Sequence, residues 1–126
     1  MIAYVHNIVV KRGDTKEIFF RVRTQVWNDT LSIWQPGAYR DLTGWEVLAQ
    51  IRSTEDSNTV VATFTATLAD QVTTTGGVYL KLSPATTAAL TVENGVWDCQ
   101  LTSPSGDVYT YVEGTYTLDK DVSRLP

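Results

Sequence analysis

The chain has 126 residues, 14.0 kDa of mass, a formal net charge of −4, and 43% hydrophobic against 19% charged residues. That is one domain able to bury a single core. It offers neither the clustered basic surface that nucleic acid requires nor an apolar run near the roughly 20 residues that span a bilayer, so neither partner is expected. The single cysteine, Cys99, excludes an intramolecular disulfide, and with His6 the only histidine a zinc site or a histidine-based catalytic triad has too few members. No cofactor, no metal and no catalysis are expected.

The chain opens with MIAYVHN, residues 1–7, read as an extended, largely apolar N-terminal segment that contains Tyr4. It has no basic start and no small-residue cleavage site, so no signal peptide is predicted. Ile8-Val9-Val10 is a first short strand. Next comes Arg12-Gly13-Asp14, the letters of a cell-adhesion motif. Here Gly13 stands between two apolar runs, where a link between strands needs a residue tolerant of positive φ. Asp14 is expected to close that turn through its side chain. The tripeptide is therefore read as a turn.

In KEIFFRVRT, Ile18, Phe20 and Val22 face one way while Phe19, Arg21 and Arg23 face the other, the period of a half-buried strand. Residues 25–41 form a connection far longer than a hairpin loop. Val26-Trp27 and Ile33-Trp34 flank Asn28-Asp29-Thr30, which predicts a small projecting hairpin, with Pro36-Gly37 as a second turn presenting Trp34 and Tyr39 on one side. Two readings stay open for this aromatic flap. It is a lid over the open end of the core, or a contact surface, since Trp and Tyr concentrate binding energy at interfaces.

Alternation continues in WEVLAQIRS, with Trp45, Val47, Ala49 and Ile51 inward, and in VVATFTATL, read as one strand with Ala62, Phe64, Ala66 and Leu68 inward. Ser53–Thr59 is a polar turn between them. VYLKL places Val78, Leu80 and Leu82 on the core. SPATTAAL predicts a helical crossover near 84–90, with Ser83 capping, Pro84 at the first helical position and Leu90 on the core. VWDCQLT buries Trp97, Cys99 and Leu101, and Trp45 and Trp97 are expected to meet across two sheets. After the turn at 103–107, residues 108–118 form the last strand, with Gly114 a predicted bulge and with Tyr109 and Tyr111 exposed together. A polar tail follows at 119–126. The sum is an all-β fold: a single antiparallel sandwich of about seven short strands, occupying 1–126, with Greek-key-like connections and one helical crossover.

The order RGDT, DLTGWEVLAQIRS, ATFTATL, GGVYLKLSPATTAAL, VWDCQLTSPSGDVYTYVEGTYTL and DKDVSR resembles the small immunoglobulin-like β-sandwich modules of tailed-phage tail and baseplate proteins. It is similar to the N-terminal domain of baseplate upper proteins. The resemblance spans about residues 8–124 and rests on the LTG–strand–R pattern, the SPxxTxxL crossover and the GxVYT hairpin. It departs in the flap, where related modules carry a shorter connection. It implies a non-enzymatic virion structural protein, made in the bacterial host cytoplasm: an adaptor, collar or decoration subunit without a fibre domain of its own. The implied partners are other virion structural proteins and further copies of the chain.

The expected interface residues are Tyr4, Trp27, Trp34, Tyr39, Tyr109 and Tyr111. The alternative is a carbohydrate- or receptor-binding module in which Trp27, Trp34 and Tyr39 form a stacking platform and Asn28, Asp29 and Gln35 supply hydrogen bonds. A hydrolase would need paired carboxylates such as Glu46 and Asp98, which are read instead as solvent-facing strand residues.

Overall fold

A computed structural model describes residues 3–120. The fold is all-β apart from one short helix. The strands are β1 (Tyr4–Val5), β2 (Ile8–Lys11), β3 (Lys16–Arg21), β4 (Arg23–Asn28), β5 (Ile33–Tyr39), β6 (Glu46–Arg52), β7 (Val60–Thr63), β8 (Thr65–Leu68), β9 (Gly77–Leu82), β10 (Asn94–Thr102) and β11 (Val108–Asp119). Helix α1 (Pro84–Ala88) joins β9 to β10.

One sheet runs β1-β11-β10-β6-β7, with β2 also on β11, and the facing sheet runs β3-β9-β8. This is the sandwich order in which the second, fifth and fourth strands of an immunoglobulin-like domain oppose the third, sixth and seventh. Between the sheets lies the core, led by Val10, Val22, Ile51, Leu80, Leu101 and Tyr116, all buried. Trp97, Cys99 and Leu101 face inward on β10, as do Val78, Leu80 and Leu82 on β9, because period-2 alternation brings every second residue to the same face.

Several expectations are corrected. The first strand is not antiparallel: β1 and β2 both run parallel to β11, Tyr4 beside Val112 and Ile8 beside Tyr116. The apolar N-terminal segment is thus paired at Tyr4 and Val5, while Met1 and Ile2 lie outside the described residues, as does most of the tail, 121–126. VVATFTATL is two strands in different sheets. The Phe64 N–H still reaches the Ala49 carbonyl at 2.9 Å, after which the chain leaves β6 and joins β9. Alternation survives the crossing because the inner faces of both sheets point at one core, where Ala62 and Phe64 are buried.

The bulge in β11 falls at Tyr111, not Gly114, since Cys99 pairs with Val112 and Gln100 with Thr110. The extra residue turns Tyr111 inward, to 4% exposure, which corrects its placement beside Tyr109 on the surface. Trp45 and Trp97 do not meet across the sandwich. Trp97 lies on β10 and packs on Phe64, while Trp45, just before β6 of the same sheet, lies against Tyr109.

The Arg12-Gly13-Asp14 turn is closed by the main chain, Asp14 N–H to Lys11 C=O at 3.1 Å, rather than by the Asp14 side chain. Gly13 has φ 90°, the left-handed value expected at the third position of such a turn. The predicted helix forms as α1. Ser83 Oγ accepts from the Thr86 N–H at 3.2 Å, Pro84 sits in the first turn, and Leu90 is buried.

Candidate functional site

Residues 23–39 leave the sandwich as the β4–β5 ribbon, which pairs with no other strand among the described residues. Asn28 builds its tip, accepting from the N–H groups of Thr30 and Leu31 at 3.0 and 3.1 Å, and Ser32 takes φ 53° to bring the chain back. Pro36-Gly37 is not a second turn but part of β5. A bulge falls there, opposite Thr24, and a Cβ on Gly37 would collide with the Thr24 hydroxyl. The register places Arg23 with Tyr39, Gln25 with Pro36 and Trp27 with Trp34, so Trp34 and Tyr39 do share a side.

The ribbon keeps its apolar side chains in water. Val26, Trp27, Leu31, Ile33, Trp34 and Tyr39 are between 42% and 59% exposed, and none joins the core cluster. This corrects the lid reading. The Trp27 and Trp34 rings meet edge to face, centroids 5.5 Å apart and planes at 66°. At the base, the Arg21 guanidinium lies 3.6 Å from the centre of the Tyr39 ring and that of Arg23 lies at 5.3 Å. A two-stranded ribbon alone is marginal in water, so these base contacts matter to its order.

Tyr4 is exposed, sets its ring edge-on to Tyr111 at 5.2 Å, and shares a small cleft with Gln25 and Trp34. The structure therefore brings Tyr4, Trp27, Trp34 and Tyr39 toward one side of the molecule. Tyr109 lies apart, half-buried beside Trp45. Tyr111 is a framework residue: its hydroxyl accepts from Arg23 N–H at 3.0 Å and reaches the Arg21 carbonyl at 3.4 Å, and its ring stacks on Phe20. Burial first, with opposing help from the Arg23 N–H, leaves its phenol pKa raised.

Asp98 is not paired with Glu46. Its neighbours on the sheet are Gln50 on β6 and Glu113 on β11. Partial burial, and then the like charge of Glu113, push its carboxyl pKa up, against the pull of Arg52. Sequence reasoning missed this pair because Glu113 becomes a neighbour only through the register that the Tyr111 bulge sets. Among the described residues, no three His, Cys, Asp or Glu side chains gather as metal ligands.

No protein-family model matches the sequence, and no curated protein matches it.

Proposed function

We propose that this protein is a non-enzymatic structural subunit of a phage virion, joining tail, baseplate or fibre components through protein–protein contacts of its flap. The observation that carries the reading is the ribbon itself, with large apolar side chains held in water outside the core. Exposed apolar surface is costly, and the register gathers Trp27, Trp34 and Tyr39 on one face of the ribbon, the kind of aromatic surface that interfaces use. The sequence resemblance supplies the setting: a virion in which other structural proteins, or further copies, cover the ribbon.

Sugar stacking fits less well. A platform needs near-coplanar rings, and the tryptophan planes stand 66° apart.

The test is paired. Trp34→Ala should weaken association by about 2 kcal/mol or more, as an anchor residue does, and leave the melting temperature of the isolated chain nearly unchanged. A mutant that melts normally but fails to enter particles supports the reading. One that enters normally and unfolds early would return the flap to a structural role.

A further inference from the structure

The three-stranded sheet has an open edge. Strand β3 pairs with β9 on one side and with no described strand on the other. In the full immunoglobulin-like order a first strand covers this position, but here both N-terminal segments run along β11 in the opposite sheet.

The ladder fixes which groups are free. Val22 N–H donates to the Gly76 carbonyl at 2.7 Å, so alternate residues back along β3 (Phe20, Ile18, Lys16) exchange bonds with β9. The main-chain groups of Glu17, Phe19 and Arg21 point outward. Tyr111 caps one of them, its hydroxyl 3.4 Å from the Arg21 carbonyl, and so closes that end of the edge.

Beside the edge lies a groove of about 420 Å³, walled by Tyr4, Ile18, Phe20, Pro36 and Tyr111. Arg21 and Arg23 line it, and no acidic residue among the described ones does. Arg21 Nε is held by the Thr75 carbonyl at 3.0 Å and Arg23 Nε by the Gly37 carbonyl at 2.7 Å. Among the described residues neither guanidinium pairs with a carboxylate; the ion pairs described are those of Lys11, Lys81 and Lys120. Two fixed, unneutralised guanidiniums at one end of an apolar groove are a receptor for a carboxylate.

We propose that the β3 edge accepts an added strand: an extended peptide segment of a partner protein, lying antiparallel to β3. Its alternate apolar side chains enter the groove, and an acidic residue at its N-terminal end meets Arg21 and Arg23. The main chain supplies affinity through Glu17 and Phe19, while the groove and the arginines set direction. The antiparallel sense continues the β3-β9-β8 pairing. This site is separate from the exposed tryptophans of the flap.

The probe is a fluorescent, amidated heptapeptide of alternating valine and threonine with a pair of aspartates at its N-terminal end. Its controls carry asparagines there, or the aspartates at the other end. Titrated against the full chain, the first peptide should bind saturably, with both controls and the Arg21→Gln/Arg23→Gln variant weaker by about tenfold or more. That variant also gives up the Tyr39 contacts, so Tyr39→Leu, which gives up the same contacts and keeps both charges, is its control and should bind like wild type. Binding should slow hydrogen exchange at the Glu17 and Phe19 amides.

Phe19→Pro removes an outward N–H without touching the β9 ladder and should abolish binding. Should it misfold, the arginine variant decides alone. No saturable binding at millimolar peptide, or binding indifferent to the aspartates and arginines, overturns the proposal. So does loss of binding in Trp34→Ala, which would place the peptide on the flap. A chain that dimerises with its Phe19 amide already protected would assign the edge to a second copy and overturn it too.

Discussion

The indole N–H of Trp97 donates to the main-chain carbonyl of His6 across 2.7 Å, and this bond accounts for the break between β1 and β2. At that break the chain leaves the regular β11 ladder. His6 keeps its N–H on the Glu113 carbonyl at 2.9 Å, while its own carbonyl turns to the tryptophan. Asn7 replaces the missing rung with its side chain, Oδ1 accepting from Thr115 N–H at 3.0 Å. Gly114 is required beneath, because a Cβ there would collide with the His6 carbonyl. One indole thus ties the N-terminal strand to the centre of the larger sheet.

Trp97→Ala should therefore destabilise the chain by about 3–5 kcal/mol, the range for emptying a large aromatic site. Trp97→Phe keeps much of the ring packing on Phe64 but loses the donor, and should cost about 1–3 kcal/mol. Urea unfolding of both variants checks this. A loss well under 1 kcal/mol for the alanine variant would contradict the inward placement of the indole.

The Arg12-Gly13-Asp14 turn is anchored by a buried hydroxyl 73 and 74 residues away. Thr87 Oγ1 accepts from Gly13 N–H at 3.1 Å and donates to the Asp14 carbonyl at 2.7 Å. Thr87→Val keeps the shape and strands both groups, so it should lower stability by about 1–3 kcal/mol in thermal or chemical unfolding. Arg12→Lys should leave the melting temperature unchanged. In a cell-adhesion assay neither form should hold integrin-bearing cells; adhesion that disappears with Arg12→Lys would make the tripeptide a ligand after all.

Cys99 is fully buried between Trp97 and Leu101 on β10, and burial, with a lesser contribution from the Asp98 charge, pushes its thiol pKa up to about 12. The thiolate is the reactive form, so a disulfide-exchange reagent at neutral pH should label the native chain only as fast as it opens. Labelling should become rapid in denaturant. Fast labelling of the folded chain would mean that β10 is accessible.

The strands that were legible in the sequence are those whose own residues carry the information. Trp97, Cys99 and Leu101 alternate, Ser83 and Pro84 announce α1, and Asn28 announces the ribbon tip. What stayed hidden depends on distant partners. Nothing near Phe64 says that its strand changes sheets, because both inner faces demand the same alternation. Nothing near Tyr111 signals an inserted residue, so the period-2 reading carried it outward. Gly37 reads as a turn residue, and its actual use is to admit Thr24 at a bulge. The flap's aromatics were legible as a cluster. The open β3 edge was not, since an edge is defined by the strand that fails to cover it.

The larger sheet carries a like-charged pair. Asp98 lies directly opposite Glu113, an arrangement that costs stability in an antiparallel pair. Partial burial is the larger cause of its raised pKa and Glu113 the second, with Arg52 opposing. The folded chain therefore holds this proton to higher pH than the unfolded chain does. Over that window the native state binds more protons, so the contribution of Asp98 to stability falls as pH rises from the ordinary value of 3.8 through the raised one. Above the window, the folded chain carries a partly desolvated charge facing another. Asp98→Asn should then raise the melting temperature near neutral pH. The gain should shrink on acidification and fade below the ordinary carboxyl range, where Asp98 is protonated in both states. Glu113→Gln should give a smaller gain with the same pH trend, since its charge is the lesser cause. Melting curves of the three proteins across this pH range supply the check. An Asp98→Asn chain that melts lower than wild type at neutral pH would mean that the attraction of Arg52 outweighs burial and Glu113 together, and the sign of the prediction would be wrong.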